Sequence, residues 1–175
     1  MEKNLPIHLQ EIIFGSSDSK ISKAISKLEK EGQIKKLAPR LYSGNLEDEP
    51  EIIIRRNLFL ILGHLYPGAV LSHRSALEFK PTSTGQIFLT HSYSKKAKIP
   101  GITIRLLEGK VPIEGDNPLS GQLFASQRER ALLENLQTSR KTGADSKTLT
   151  YPEIEEKLEQ IIHVHGEKEL NNIRD

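Results

Sequence analysis

An α/β chain of the α+β kind is predicted by three observations. The stretch "SKISKAISKLEKEG", Ser19–Gly32, places Ile21, Ala24, Ile25 and Leu28 on one arc at helical spacing and closes on a glycine. "QIKKLAPRLYSGN" follows at once and reads as two short strands about a tight turn. Beyond the acidic "NLEDEPE", apolar strands alternate with capped helices. The expected architecture is an N-terminal winged helix-turn-helix over residues 1–46, followed by a mixed α/β domain over 47–175.

Each element has a local reason. Ile7 to Phe14 is read as a short helix, and "GSSD" as the turn into the next one. Ser17 or Asp18 caps the Ser19 helix, and Gly32 stops it. The hairpin strands are Ile34–Leu37 and Arg40–Ser43, turning at Ala38-Pro39. Pro50 starts a helix that runs to about Leu65, with Asp48, Glu49 and Glu51 at its positive end. "AVLS" is a short strand, and Ser72 caps a helix over His73–Phe79. "QIFLT" and "GITIRLLEG" read as buried strands. Ser126 with Glu129, and Thr150 with Glu153, form capping boxes for helices over Gln127–Leu136 and Tyr151–His163. The final "EKELNNIRD" is helical in pattern without a stop signal, which points to a chain cut from a longer protein.

With 175 residues, 36% hydrophobic and 27% charged, the chain can bury a core and falls outside the disordered class. The net charge of +2 decides little, but its distribution does. Ser16 to Gly44 holds seven basic residues against three acidic ones, and Tyr151 to Asp175 holds three against seven. The N-terminal part is therefore the anion-binding end. The absence of cysteine excludes disulfides, cysteine zinc sites and thiol catalysis, and suits a reducing cytoplasm. The greasiest stretch is broken by Arg55, Arg56 and His64 before it could span a bilayer, so no membrane partner is expected.

Lys20, Lys23, Lys27 and Lys30 line the arc opposite the apolar one. A charged helix face is ordinarily a solvated face. Here Lys20 and Lys23 lack acids four residues on, and Lys35, Lys36 and Arg40 follow in the hairpin. The reading is a recognition helix, with Ser19, Lys20, Ser22 and Lys23 at the end that reaches base edges, and a cationic wing that includes Tyr42. Lys95, Lys96, Lys98 and Arg105 make a second basic patch, either phosphate contacts or a dock for an acidic partner, or else an exposed loop and strand end.

No chemistry is assigned elsewhere. His163 and His165 lack a third ligand, so no metal is expected. Ser72 beside His73 has no nucleophile-elbow context, "TGADSKT" lacks the phosphate-loop glycine, and Glu78 with Lys80 lacks the aspartate of a nuclease site. No enzyme activity and no cofactor are expected.

The order of pieces resembles AbiEi-type antitoxins. "ISKAISKLEKEGQIKKLAPRLYSGN" is similar to their winged helix, with Arg40, Leu41 and Tyr42 in its closing element. "YPGAVLSHRSALEF", "IFLT", "IPGITIRLLEG" and "LFASQRERALLENL" are similar to the later parts. Arg128 or Arg130 stands for that family's arginine, and Glu134 replaces its usual aspartate. The likeness is closer still to the region ahead of the Fic domain in long bacterial Fic-family proteins, carried by "APRLY", "IIRRNL" and "GAVLSHRSALE". The Fic motif H-x-F-x-[DE]-G-N and its inhibitory [ST]-x-x-x-E-[GN] motif are both absent. The resemblance implies a cytoplasmic, sequence-specific transcriptional regulator that binds double-stranded operator DNA and represses a toxin–antitoxin or Fic operon, with room for a homodimer. The rival is an interaction module restraining a toxin or a Fic domain.

Overall fold

Helix α1 spans Ser19–Lys30 in the computed structural model, which describes residues 5–136, 143 and 145–165. Both of its ends are closed by local chemistry. An Asp18 carboxylate oxygen accepts the N–H groups of Lys20 at 2.7 Å and Ile21 at 3.1 Å. At the other end Gly32 takes φ 70°, which lets its N–H reach the Glu29 carbonyl and the Gln33 N–H reach the Leu28 carbonyl. That is a Schellman stop, and it needs the left-handed backbone glycine supplies.

Strands β1 (Ile13–Phe14), β2 (Lys35–Ala38) and β3 (Leu41–Ser43) form an antiparallel sheet in the order β1-β3-β2. The helix expected over Ile7–Phe14 is absent. Ile7–Leu9 is one 3₁₀ turn, and Ile13 and Phe14 pair with Tyr42 and Leu41 instead. The reason is the open edge of β3, whose backbone groups would otherwise lack partners. No second helix therefore precedes α1 among the described residues. The hairpin turn also lies one residue later than expected, at Pro39-Arg40.

Helix α2 covers Pro50–Arg56 and α3 covers Leu58–Leu65, where one continuous helix was expected. Asn57 makes the break. Its side-chain amide donates to the Ile53 carbonyl at 2.9 Å and to Glu11 at 3.0 Å, competing with helix continuation.

The chain divides into two compact units, residues 1–58 with 98–102, and residues 59–97 with 103–175. The first therefore includes residues 47–58 besides 1–46. Ile13, Ile25 and Ile34 form a small buried cluster there, with Ile7, Leu28 and Tyr42 packed partly buried against it. Of the four apolar residues on α1 only Ile25 is fully buried. Ile21 remains 43% exposed, which corrects the expectation that the whole arc is core.

A mixed six-stranded sheet is built from β4 (Val70–Leu71), β5 (Gln86–His91), β6 (Lys95–Ile99), β7 (Ile102–Glu108), β8 (Asn117–Ser120) and β9 (Leu123–Ala125). Its order is β6-β7-β5-β4-β9-β8. β5 runs parallel to β7 in unbroken register from Gln86 opposite Thr103 to His91 opposite Glu108, and β4 runs parallel to β9. Val70, Leu71, Ile87, Leu89, Ile104, Leu106 and Leu123 are among its buried residues. Helices α4 (His73–Glu78), α5 (Arg128–Asn135) and α6 (Tyr151–His165) complete the second unit. Gly63 lets α3 pass close to β8, since a Cβ there would lie 2.5 Å from the Ser120 carbonyl oxygen. Among the described residues no helix is long and apolar enough to cross a membrane. The helical pattern expected over 167–175 lies outside the described residues.

Burial on α1 makes a direct prediction for chemical denaturation. Ile25→Ala should destabilise by about 2–5 kcal/mol, because it empties a site that cannot collapse. Ile21→Ala should cost less than about 1 kcal/mol. Equal losses at the two positions would contradict the observed seating of the helix.

Candidate nucleic-acid interface

The outward face of α1 is made of lysine and serine. Lys20, Lys23, Lys27 and Lys30 are all exposed, as are Ser19, Ser22 and Ser26. Lys27 has Glu31 at 3.7 Å, an exposed pair of small energetic weight. Lys20, Lys23 and Lys30 have no acidic partner within ion-pair distance among the described residues. Ser22, Lys23, Ser26, Lys27 and Lys30, with Glu31, line an open groove of about 480 Å³. Small hydroxyls thus sit beside long cations, which lets a flat polyanionic surface approach the helix closely.

The hairpin residues divide into two groups. Lys36 is exposed and has no partner among the described residues. Arg40 is exposed at the turn with φ 58°, a left-handed conformation that costs a non-glycine residue about 1–2 kcal/mol. Its guanidinium bends back to the Gly15 carbonyl at 3.3 Å, and the Gly15 N–H returns a 2.8 Å bond to the Arg40 carbonyl. Lys35 is not available as a surface cation. Its ammonium is half-buried on the Asp48 carbonyl. Tyr42 likewise serves the packing, partly buried against the Ile13–Ile25–Ile34 cluster.

Three charged side chains tie this unit together behind the hairpin. Arg56 pairs with Glu11 and, at 2.9 Å, with Asp48. Asn57 donates to Glu11, and Asn45 donates to Asp48 at 2.9 Å. The Asn57 amide, with Arg56 beside it, holds the Glu11 carboxyl below its usual range. The Arg56 guanidinium and the Asn45 amide do the same for Asp48, while these two acids raise Arg56. The segment ahead of β1, the acidic loop and α2 are thereby joined by polar contacts.

The residues of the second basic patch lie on two adjacent strands. Lys95, Lys96 and Lys98 are exposed on β6, an edge strand, where lysines discourage pairing with other chains. Arg105 lies on β7 and donates through Nε to the Gln86 side chain at 2.8 Å, so it is held within the sheet.

The polar cluster at the start of α4 is structural in its contacts. Ser72 precedes α4 but makes no capping bond; the Glu134 carboxylate accepts the His73 N–H at 2.8 Å, and the Lys147 carbonyl accepts the Arg74 N–H at 2.9 Å. The Ser72 hydroxyl lies 3.1 Å from His73 Nδ1, yet both residues are buried. Glu134 is also held by Arg130 Nε at 2.9 Å and by the Ser126 hydroxyl at 3.4 Å. The capping box expected from Ser126 and Glu129 therefore does not form, because Ser126 is drawn to Glu134. One half of the box at Thr150 forms, with Glu153 accepting the Thr150 N–H and, besides it, the Thr150 hydroxyl. Arg74 is buried between Glu153 and Glu78, the latter at 3.5 Å from Nε. Burial pushes the Glu78 carboxyl up. His163 is exposed, the His165 side chain lies outside the described residues, and no group of three metal-ligating side chains occurs among those described.

Sequence reasoning missed Glu134 as a cap, Arg74 as a buried ion and Asn57 as a break. Only Glu134 carried a signal, as the acid after a leucine pair. No protein-family model, curated protein or solved structure matches the chain.

The acid pair around Arg56 makes stability pH-dependent. Both carboxyls titrate lower in the folded chain than in the unfolded one, so the stability they contribute is complete above about pH 5 and is lost as pH falls through their folded values. Unfolding of the wild-type chain should become easier between pH 5 and 3, and Arg56→Met should show a shallower dependence. Identical pH profiles for the two proteins would show that the cluster carries no stability.

Proposed function

We propose that the first unit binds double-stranded DNA and that the chain is a sequence-specific transcriptional regulator of the AbiEi antitoxin type, cytoplasmic and repressing the operon of its own toxin or Fic protein. In this reading the unit is a winged helix reduced to its recognition helix and wing. One observation carries it: a helix seated on a sheet by a single buried isoleucine exposes three lysines that have no acidic partner among the described residues. The three-stranded sheet supports the same reading, because β1 joins the hairpin behind α1 to the chain ahead of it, holding helix and wing as one body. Ser19, Lys20, Ser22 and Lys23 reach base edges, and Lys27, Lys30, Lys36 and Arg40 contact phosphates. Lys35 and Tyr42 support the hairpin from behind.

Gel shifts with the chain's own promoter, across a salt series, test this. With the four phosphate contacts named, the log–log slope of affinity against salt should approach about −3.6. Lys23→Ala should weaken the preferred site more than random DNA, by roughly 1–3 kcal/mol of discrimination. Absence of binding at low salt, or a slope near zero, would refute DNA binding. Unchanged specific and random affinities in Lys23→Ala would refute the recognition-helix assignment.

Arg40 separates function from stability. Arg40→Gly relieves a left-handed backbone, so the variant should melt no lower than wild type while its salt slope falls by about one unit. A variant that binds every sequence as tightly as wild type would remove Arg40 from the interface.

A further inference from the structure

The second unit carries a groove that the DNA-binding reading does not use. It lies among α4, α5 and α6, about 230 Å³ in volume. Its apolar lining is Ala76, Leu77, Phe79 and Ile161, and its polar rim is Arg128, Lys157 and Gln160. That volume is below the roughly 300–1,000 Å³ of small-molecule sites and suits one or two apolar side chains.

Phe79 sets the groove apart from an ordinary surface hollow. It ends α4 with φ 51°, where glycine is the usual residue, and it is 49% exposed. The ring of Phe59 meets it edge-on, with centroids 6.5 Å apart and planes at 88°. A half-exposed aromatic ring is thus kept at a position the backbone disfavours, and one side of it is braced. Residues held in such conformations concentrate where a ligand or partner is met. Exposed, braced aromatics are also the residues that anchor protein interfaces.

The rim identifies the partner by charge. Both ionic side chains lining the groove are cations, Arg128 on α5 and Lys157 on α6, and the Lys157 ammonium is steadied by Gln160 at 3.1 Å. We infer that this groove docks an amphipathic segment of a partner protein, inserting an apolar side chain against Phe79 and setting an acidic side chain against Lys157. Complementary charge of this kind selects the partner and orients it, while the buried aromatic contact supplies affinity.

The test uses the full chain and two labelled helical peptides of about 14 residues, roughly four turns. Both carry leucine at every third and fourth position, one with glutamate and the other with lysine between the leucines. Fluorescence anisotropy should show the acidic peptide binding at least about tenfold more tightly than the basic one. Phe79→Gly should weaken the acidic peptide by about tenfold or more without lowering the melting temperature, since glycine suits that backbone. Lys157→Glu should reduce or reverse the preference between the peptides. Promoter binding should be unaltered in both variants, so failure here is separable from failure of the DNA reading. Equal affinity for the two peptides, no binding, or indifference to Phe79→Gly would overturn the inference. So would a dimer of the free chain, seen by ultracentrifugation, that Phe79→Gly dissociates, because the groove would then be covered by a second copy.

Discussion

The first unit depends on how one helix is held by a very small core. α1 places only Ile25 fully inside, against Ile13 and Ile34. The unit holds further buried apolar residues, among them Leu37, Leu41, Ile53, Ile54 and Leu58, but α1 itself contributes little to them and relies on the closure of its own backbone. That accounts for the care at both ends of α1, where Asp18 and Gly32 satisfy backbone groups that would otherwise need water. The Glu11–Arg56–Asp48 cluster adds polar ties between three segments at the surface. With Ile25 alone buried and only Ala24 and Leu28 partly so, the rest of the helix is exposed, and the lysines occupy that surface.

The second unit solves a different problem. Its short sheet strands need helices to cover them, and α4 begins at a residue with φ 53°, His73, whose N–H has no partner in its own helix. Glu134 reaches from α5 to accept that N–H while Arg130 and Ser126 hold the carboxylate in place. A charge buried this way is stabilising only because each of its oxygens has a donor. Arg74, one residue further, is buried between Glu78 and Glu153, with its charge paired although Nε makes no hydrogen bond. These bonds lock α4, α5 and the start of α6 together and so fix the groove on which Phe79 sits.

Much of this was legible in the residues. The boundaries of α1, the hairpin, the strands β4, β5 and β7, and the half of the Thr150 box that forms all follow from signals within a few residues of the element they define. What failed did so for a common reason. Ile7 to Phe14 has apolar residues at helical spacing, but the edge of β3, almost thirty residues away, offered its backbone a better set of partners. Asn57 lies in an apolar run that reads as continuous helix, and Glu11 is too distant in sequence to suggest a break. β6, β8 and β9 are short and poor in β-branched residues, and only neighbouring strands make them strands.

The sequence by itself determined that a lysine-lined helix is capped, stopped and followed by a cationic hairpin, because periodicity and capping are short-range effects. Which of those cations is free was decided only by the tertiary structure. Lys35 is spent on a carbonyl thirteen residues away, whereas Lys20, Lys23, Lys30 and Lys36 meet no acid among the described residues. A side chain's charge is written in its residue type, but its availability depends on which distant groups the fold brings within about 3 Å, the range over which a hydrogen bond can claim it.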